Sequence, residues 1–128
     1  MATDESITLD GRLDEAVWMR AVPATNFLQR DPDNGQPATE QTEVRFDYDA
    51  DKLYMGATLF DSEPDKLIYY QMGRDGSIPS DDNLPCAIAT LNDGQSASWW
   101  EMNPMGSMAA WLRGAINMNA WERGGSWV

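Results

Sequence analysis

The side chains with the most chemical capability in this chain are its aspartates and tryptophans. Asp47, Asp49 and Asp51 have the first three spacings of the loop that wraps calcium in an EF-hand. Two other positions refuse that assignment: Lys52 stands where the sharp turn needs glycine, and Thr58 where a bidentate glutamate is needed. The three aspartates are therefore expected to flank a solvated hairpin turn. Trp99, Trp100, Trp111, Trp121 and Trp127 crowd the C-terminal end of the chain. Sugars present flat arrays of C–H bonds, and an indole offers a rigid platform with one donor on its rim, so such residues suit glycan recognition as well as core packing. Glu101, beside Trp99 and Trp100, is the carboxylate placed to act with them, and Asp82 is its hypothetical partner in an acid and base pair on a glycosidic bond. Cys86 lies among Ala87, Ile88 and Pro85, with nothing basic near it in sequence, and reads as a small buried hydrophobe.

Composition removes whole classes of chemistry. Among the 128 residues there is no histidine and one cysteine. That excludes Ser-His-Asp and Cys-His nucleophile systems, HExxH metalloproteases, intrachain disulfides and zinc sites built of Cys and His. Catalysis, if present, rests on carboxylates, tyrosines or a metal held by carboxylates. Nine basic residues against 21 acidic ones give a net charge of −12, which repels phosphate backbones, so no nucleic-acid partner is expected. No apolar run is long enough to span a membrane, and the opening MATDESITLDG has neither the basic nor the apolar region of a signal peptide.

The elements that must position these residues are mostly strands. In Thr42 to Asp61, Val44, Phe46 and Tyr48 alternate with polar residues, and Leu53, Met55, Ala57 and Leu59 alternate again after a polar break. That period of two predicts a β-hairpin with its apolar face in the core. Before it, Ile7 to Leu9 and Thr25 to Gln29 read as short strands, and Leu13, Val17 and Ala21 have helical spacing. Asp14 and Glu15 open that helix, Pro23 stops it, and Trp18 is its core anchor. After the hairpin, Leu67 to Met72 fits a strand or a helical turn, while Leu84 to Leu91, Ala97 to Met102 and Met108 to Ile116 fit strands separated by Asn-Asp-Gly and Asn-Pro-Met-Gly turns. One domain of this length, with seven or eight short strands and one early helix, is expected to be an all-β sandwich.

The opening ITLDGRLDEAVWMRA, with TEVRFDYDADKLYMGATLFD, RDGSIPSDD and EMNPMG in that order, resembles the carbohydrate-binding family 9-like domain. The version it resembles stands at the N-terminus of bacterial outer-membrane-associated proteins of unassigned function. The resemblance implies a β-sandwich of jelly-roll type, sugar binding, structural calcium and an extracellular or periplasmic location. It also shows departures: Ala89-Thr90-Leu91 lacks the aspartate that usually ends the central strand, and Ser77 to Ser80 lacks a platform tryptophan. The chain as given stops at Val128, before further strands of such a domain, so a truncated or divergent sandwich is expected, whose exposed sheet edges favour a homo-oligomer.

These expectations converge on a non-catalytic carbohydrate-binding module. Trp99, Trp100, Trp111 and Trp121, with Glu101, Asn103 and Arg113, form its ligand surface. Of Trp99 and Trp100, one is expected to face the core and the other solvent. Calcium accepts about six to eight oxygens in flexible geometry, and Asp61, Asp81 and Asp82, at strand ends expected to share one rim, are its ligands, with Asp75 and Glu63 in reserve. The alternatives are a small carboxylate- or metal-dependent hydrolase and a structural domain acting through protein contacts.

Overall fold

In a computed structural model that describes residues 3–70, 72–76 and 81–113, the chain divides into two units, Met1–Ser62 and Glu63–Val128. The first holds helix α1 (Ala16–Arg20) and the antiparallel hairpin of β1 (Thr42–Tyr48) and β2 (Leu53–Leu59). The second holds a 3-10 turn (Pro64–Lys66) and an antiparallel sheet of β3 (Leu84–Ile88), β4 (Ala97–Met102) and β5 (Met108–Arg113), in that order. Strands in two antiparallel sheets with one short helix make an all-β fold.

The hairpin forms where the alternation places it, but it presents its faces the other way round. Position 56 decides this. A Cβ added to Gly56 would meet Leu13 Cδ2 at 2.7 Å and the Trp18 ring at 3.0 and 3.2 Å, so the helix seats its indole on the one residue of β2 that has no side chain. Gly56 pairs with Arg45, and the same face carries Glu43, Asp47 and Tyr54. The covered face is therefore the polar one: Asp47 is fully buried, and Arg45 and Glu43 form a 2.8 Å ion pair across it. On the apolar face Val44 is buried, its backbone paired with Ala24 at the edge of β1, while Phe46, Tyr48, Leu53, Met55 and Leu59 are exposed, Tyr48 and Leu53 by 51% and 53%. Asp47 thus departs from the solvated position expected of it.

Helix α1 is shorter than its apolar spacing predicts. Glu15 is still extended, and its carboxylate accepts from Thr8 N–H at 2.8 Å and from Trp18 Nε1–H at 2.9 Å. A side chain so engaged ties the preceding segment to the helix from outside, and no acidic residue lies in the first turn. Val17 and Trp18 are buried as expected. The expected strand at Ile7 to Leu9 is irregular, and Thr25 to Gln29 is reduced to bridges at Ala24 and Leu28. Polar loop chemistry replaces it: Gln29 N–H donates to Gln36 O at 2.7 Å, and Gln29 Nε2 to Pro37 O at 2.8 Å.

In the second unit, the expected strand over Leu84 to Leu91 ends at Ile88, and of the strand or helical turn expected over Leu67 to Met72 the described residues, 67–70 and 72, are irregular. Asp93 builds the β3–β4 turn by accepting from Gln95 N–H at 2.9 Å and Ser96 N–H at 2.8 Å. The β4–β5 turn is held by Asn103 and needs Gly106, whose φ of +77° only glycine adopts without strain. The outer strand β5 has a neighbour in a loop. Asp75 N–H donates to Met108 O at 2.9 Å and its Oδ1 accepts from Ala110 N–H at 3.3 Å. The part of the expected final strand beyond Arg113 lies outside the described residues.

Candidate functional site

Register sorts the residues of the second sheet into two faces. Trp99 stands opposite Ala87 on β3 and Trp111 on β5, and Glu101 opposite Pro85 and Ala109. Trp100 stands opposite Cys86 and Ala110, on the other face. Trp99 and Trp100 are thus split between the two faces as the alternation requires, yet both are half-buried, so the expected division into one core and one surface indole is not the one found.

The face of Trp99 is built from small residues around two large ones. Ala97 and Ala109 are buried, Pro85 and Ala87 are half-buried, and above them Trp99 Nε1–H donates to Glu101 Oε1 at 3.0 Å. That bond turns the carboxylate along the sheet. The second oxygen, Glu101 Oε2, is shielded from solvent and accepts no hydrogen bond among the described residues. A carboxylate oxygen in that condition is a strong acceptor for a hydroxyl donor. Arg113 is set opposite Ala97 by register, and Trp121 lies outside the described residues, as does the loop 77–80.

Asn103 serves the inside of the unit. It is buried, its Oδ1 accepts from Met105 N–H at 3.1 Å and Ser107 N–H at 2.9 Å, and its Nδ2 donates to Asp81 Oδ2 at 2.9 Å. Asp81, Asn103 and Ser107 form a buried polar trio that residue type alone does not reveal. Its signal was the Asn-Pro-Met-Gly turn, where an asparagine before proline with glycine three residues on asks for a side chain folded back onto the turn.

The aspartates expected to bind calcium are engaged separately. Asp81 faces Asn103, while Asp82 Oδ2 accepts from Ile68 N–H at 2.7 Å and Asp82 N–H donates to Ile68 O at 2.8 Å. Asp61 follows β2 in the other unit. Among the described residues no three Asp, Glu or Cys side chains converge closely enough to hold a metal ion.

Titration behaviour marks turns. The Tyr54 hydroxyl donates to Asp49 Oδ2 at 2.7 Å, and with the Asp51 and Lys52 N–H groups on Oδ1 it holds the Asp49 carboxyl below the usual range and the Tyr54 phenol above its own. Asp93 is lowered by Ser96 and Gln95 in the same way. Burial pushes the Cys86 thiol up, away from the thiolate that a nucleophile needs. No family model, curated protein or solved structure matches this chain. Among the described residues, no helix is long and apolar enough to cross a membrane.

Proposed function

We propose that this chain is a non-catalytic carbohydrate-binding module of the family 9-like kind, a β-sandwich of jelly-roll type acting outside the cytoplasm. The observation that supports it is the Trp99–Glu101 pair on a face otherwise lined by Pro85, Ala87, Ala97 and Ala109. Beside the half-buried indole this face carries only small side chains and a proline among its described neighbours, a composition that suits a flat ligand. The carboxylate beside it accepts from sugar hydroxyls, so the apolar and polar halves of a pyranose each meet a matching group. Trp111, at the position opposite Trp99, and Arg113 extend the same face by register. The calcium at Asp61, Asp81 and Asp82 is carried by the resemblance alone.

One titration tests both parts. Tryptophan fluorescence is followed against a panel of oligosaccharides, first with calcium and then with chelator. Saturable quenching that Trp99→Ala abolishes and Glu101→Gln weakens supports the module. No response to any sugar removes it. A melting temperature that falls on chelation supports the metal, and an unchanged one removes that part alone.

A separate observation favours a second function, contact with protein: the exposed apolar hairpin face of Phe46, Tyr48, Leu53, Met55 and Leu59. Sedimentation at rising concentration distinguishes it. A species of one chain's mass throughout removes self-association.

A further inference from the structure

Met102, Met105 and Met108 are spaced three apart in the run Met102-Asn103-Pro104-Met105-Gly106-Ser107-Met108. The hairpin register makes Met102 and Met108 cross-strand partners. Such partners share a face with Cβ atoms about 4.5–5.5 Å apart. Met105 sits on the turn between them. A fourth methionine comes from the loop that Asp75 fastens to Met108 and Ala110. Met72, at its start, lines with Met105 and Met108 an open cleft of ≈ 260 Å³ that Arg74, Gly106 and Ser107 complete.

Three of these side chains are exposed and Met108 is half-buried. Met72 is 78% exposed and Met105 52% exposed, and Met102 is exposed as well. Methionine is long, unbranched and rotatable at three bonds, so neighbouring thioethers on separate backbone segments can swing their sulfurs to a common point. A thioether has no charge and no proton to lose. Calcium, magnesium and manganese prefer oxygen donors, whereas Cu(I) selects soft sulfur. At long range the chain's net charge of −12 favours a cation over an anion. The cation on the cleft wall, Arg74, has its Nε 3.5 Å from Asp75 Oδ2, which offsets its charge.

We infer that Met72, Met105 and Met108, with Met102 at the rim, form a binding site for a soft monovalent metal ion, Cu(I). It is independent of the sugar-binding proposal, which uses the opposite face of β4. Silver(I) is the redox-inert probe. Protein with isotope-labelled methionine methyls is titrated with silver nitrate in chloride-free buffer, and the full chain is competed anaerobically for Cu(I) against a coloured Cu(I) chelator. The methyl signals of Met72, Met105 and Met108 shift, and those of Met19 and Met55 stay. Leucine conserves volume at these sites, so Met105→Leu with Met108→Leu keeps the fold. It weakens Cu(I) binding by about tenfold or more, since removing even a supporting partner of a ligand costs about 10–100-fold. Cys86→Ser leaves affinity unchanged. Affinity is also the same at about pH 5 and about pH 7.5, because thioethers release no proton, whereas carboxylate and thiol sites weaken in acid. Unmoved methyl signals, binding that survives the double leucine variant, or binding lost with Cys86→Ser or with acid would each overturn the assignment.

Discussion

Asn103 shows how much of a turn rests on a single amide. Its side chain satisfies two backbone N–H groups and a carboxylate while buried, so Asn103→Ala leaves several polar groups without partners at once. Each buried group so orphaned costs about 1–3 kcal/mol. Urea denaturation is expected to show a loss of about 2–4 kcal/mol for the variant, while Asn103→Asp, which keeps the turn acceptors but sets two carboxylates together, loses stability chiefly above the carboxylate range. A second prediction concerns Asp49. Its carboxyl is lowered first by the Tyr54 hydroxyl, so Tyr54→Phe raises its titration midpoint toward the ordinary value, read by carboxyl NMR. Because the folded value lies below the unfolded one, the Asp49 contribution is complete above the ordinary carboxylate range and is lost as pH falls through the lowered value. The phenol runs in the opposite sense: Tyr54 is raised, so its contribution is complete below the ordinary phenol range and is lost as pH rises through the raised value.

At the scale of elements, the first unit depends on one gap in one strand. Gly56→Ala places a methyl within 3.0 Å of the Trp18 ring and closer still to Leu13. Overpacking of this kind costs about 1–3 kcal/mol. Trp18→Leu in the same chain relieves the ring's share of the clash and leaves that of Leu13, so the two losses measured by denaturation are expected to be less than additive. The hairpin itself was legible, since two alternating runs around a polar break admit little else, and so were β4 and the helix anchor Trp18. Which hairpin face is covered was not legible. Alternation identifies two faces and names the apolar one as inward, whereas the indole chose the face with the missing side chain. Thr25 to Gln29 misled for a different reason: Phe27 and Leu28 have strand composition, but Gln29 and the Pro37 carbonyl offer the backbone a loop arrangement instead. At the candidate site, the sequence set Glu101 beside both Trp99 and Trp100, and the structure pairs it with Trp99, two residues away on the same face. The inward engagement of Asn103 did not, because polarity alone does not say whether an amide serves a ligand or a turn.

At the scale of the whole molecule, the charge of −12 acts everywhere at once. Like charges on a compact surface repel, and salt screens them within a Debye length of about 8–10 Å at moderate ionic strength. Raising sodium chloride from near zero to about 0.15 M is therefore expected to raise the melting temperature. A melting temperature indifferent to salt would mean that local ion pairs, such as Arg45 with Glu43, already balance the field.

The loop that carries Asp75 has one more consequence, for the way this chain behaves when crowded. Sheets propagate into fibres by recruiting a new strand onto unmet backbone groups at their margin. On β5 the Met108 carbonyl and the Ala110 N–H are already taken by Asp75, and on β3 the margin includes Pro85, which has no N–H to offer. The strap occupies two of the backbone groups that a recruited strand would need on β5, and Pro85 withholds one donor from β3. The lag before fibrillation, more than the stability of the fold, is where the loss of Asp75 would first be felt.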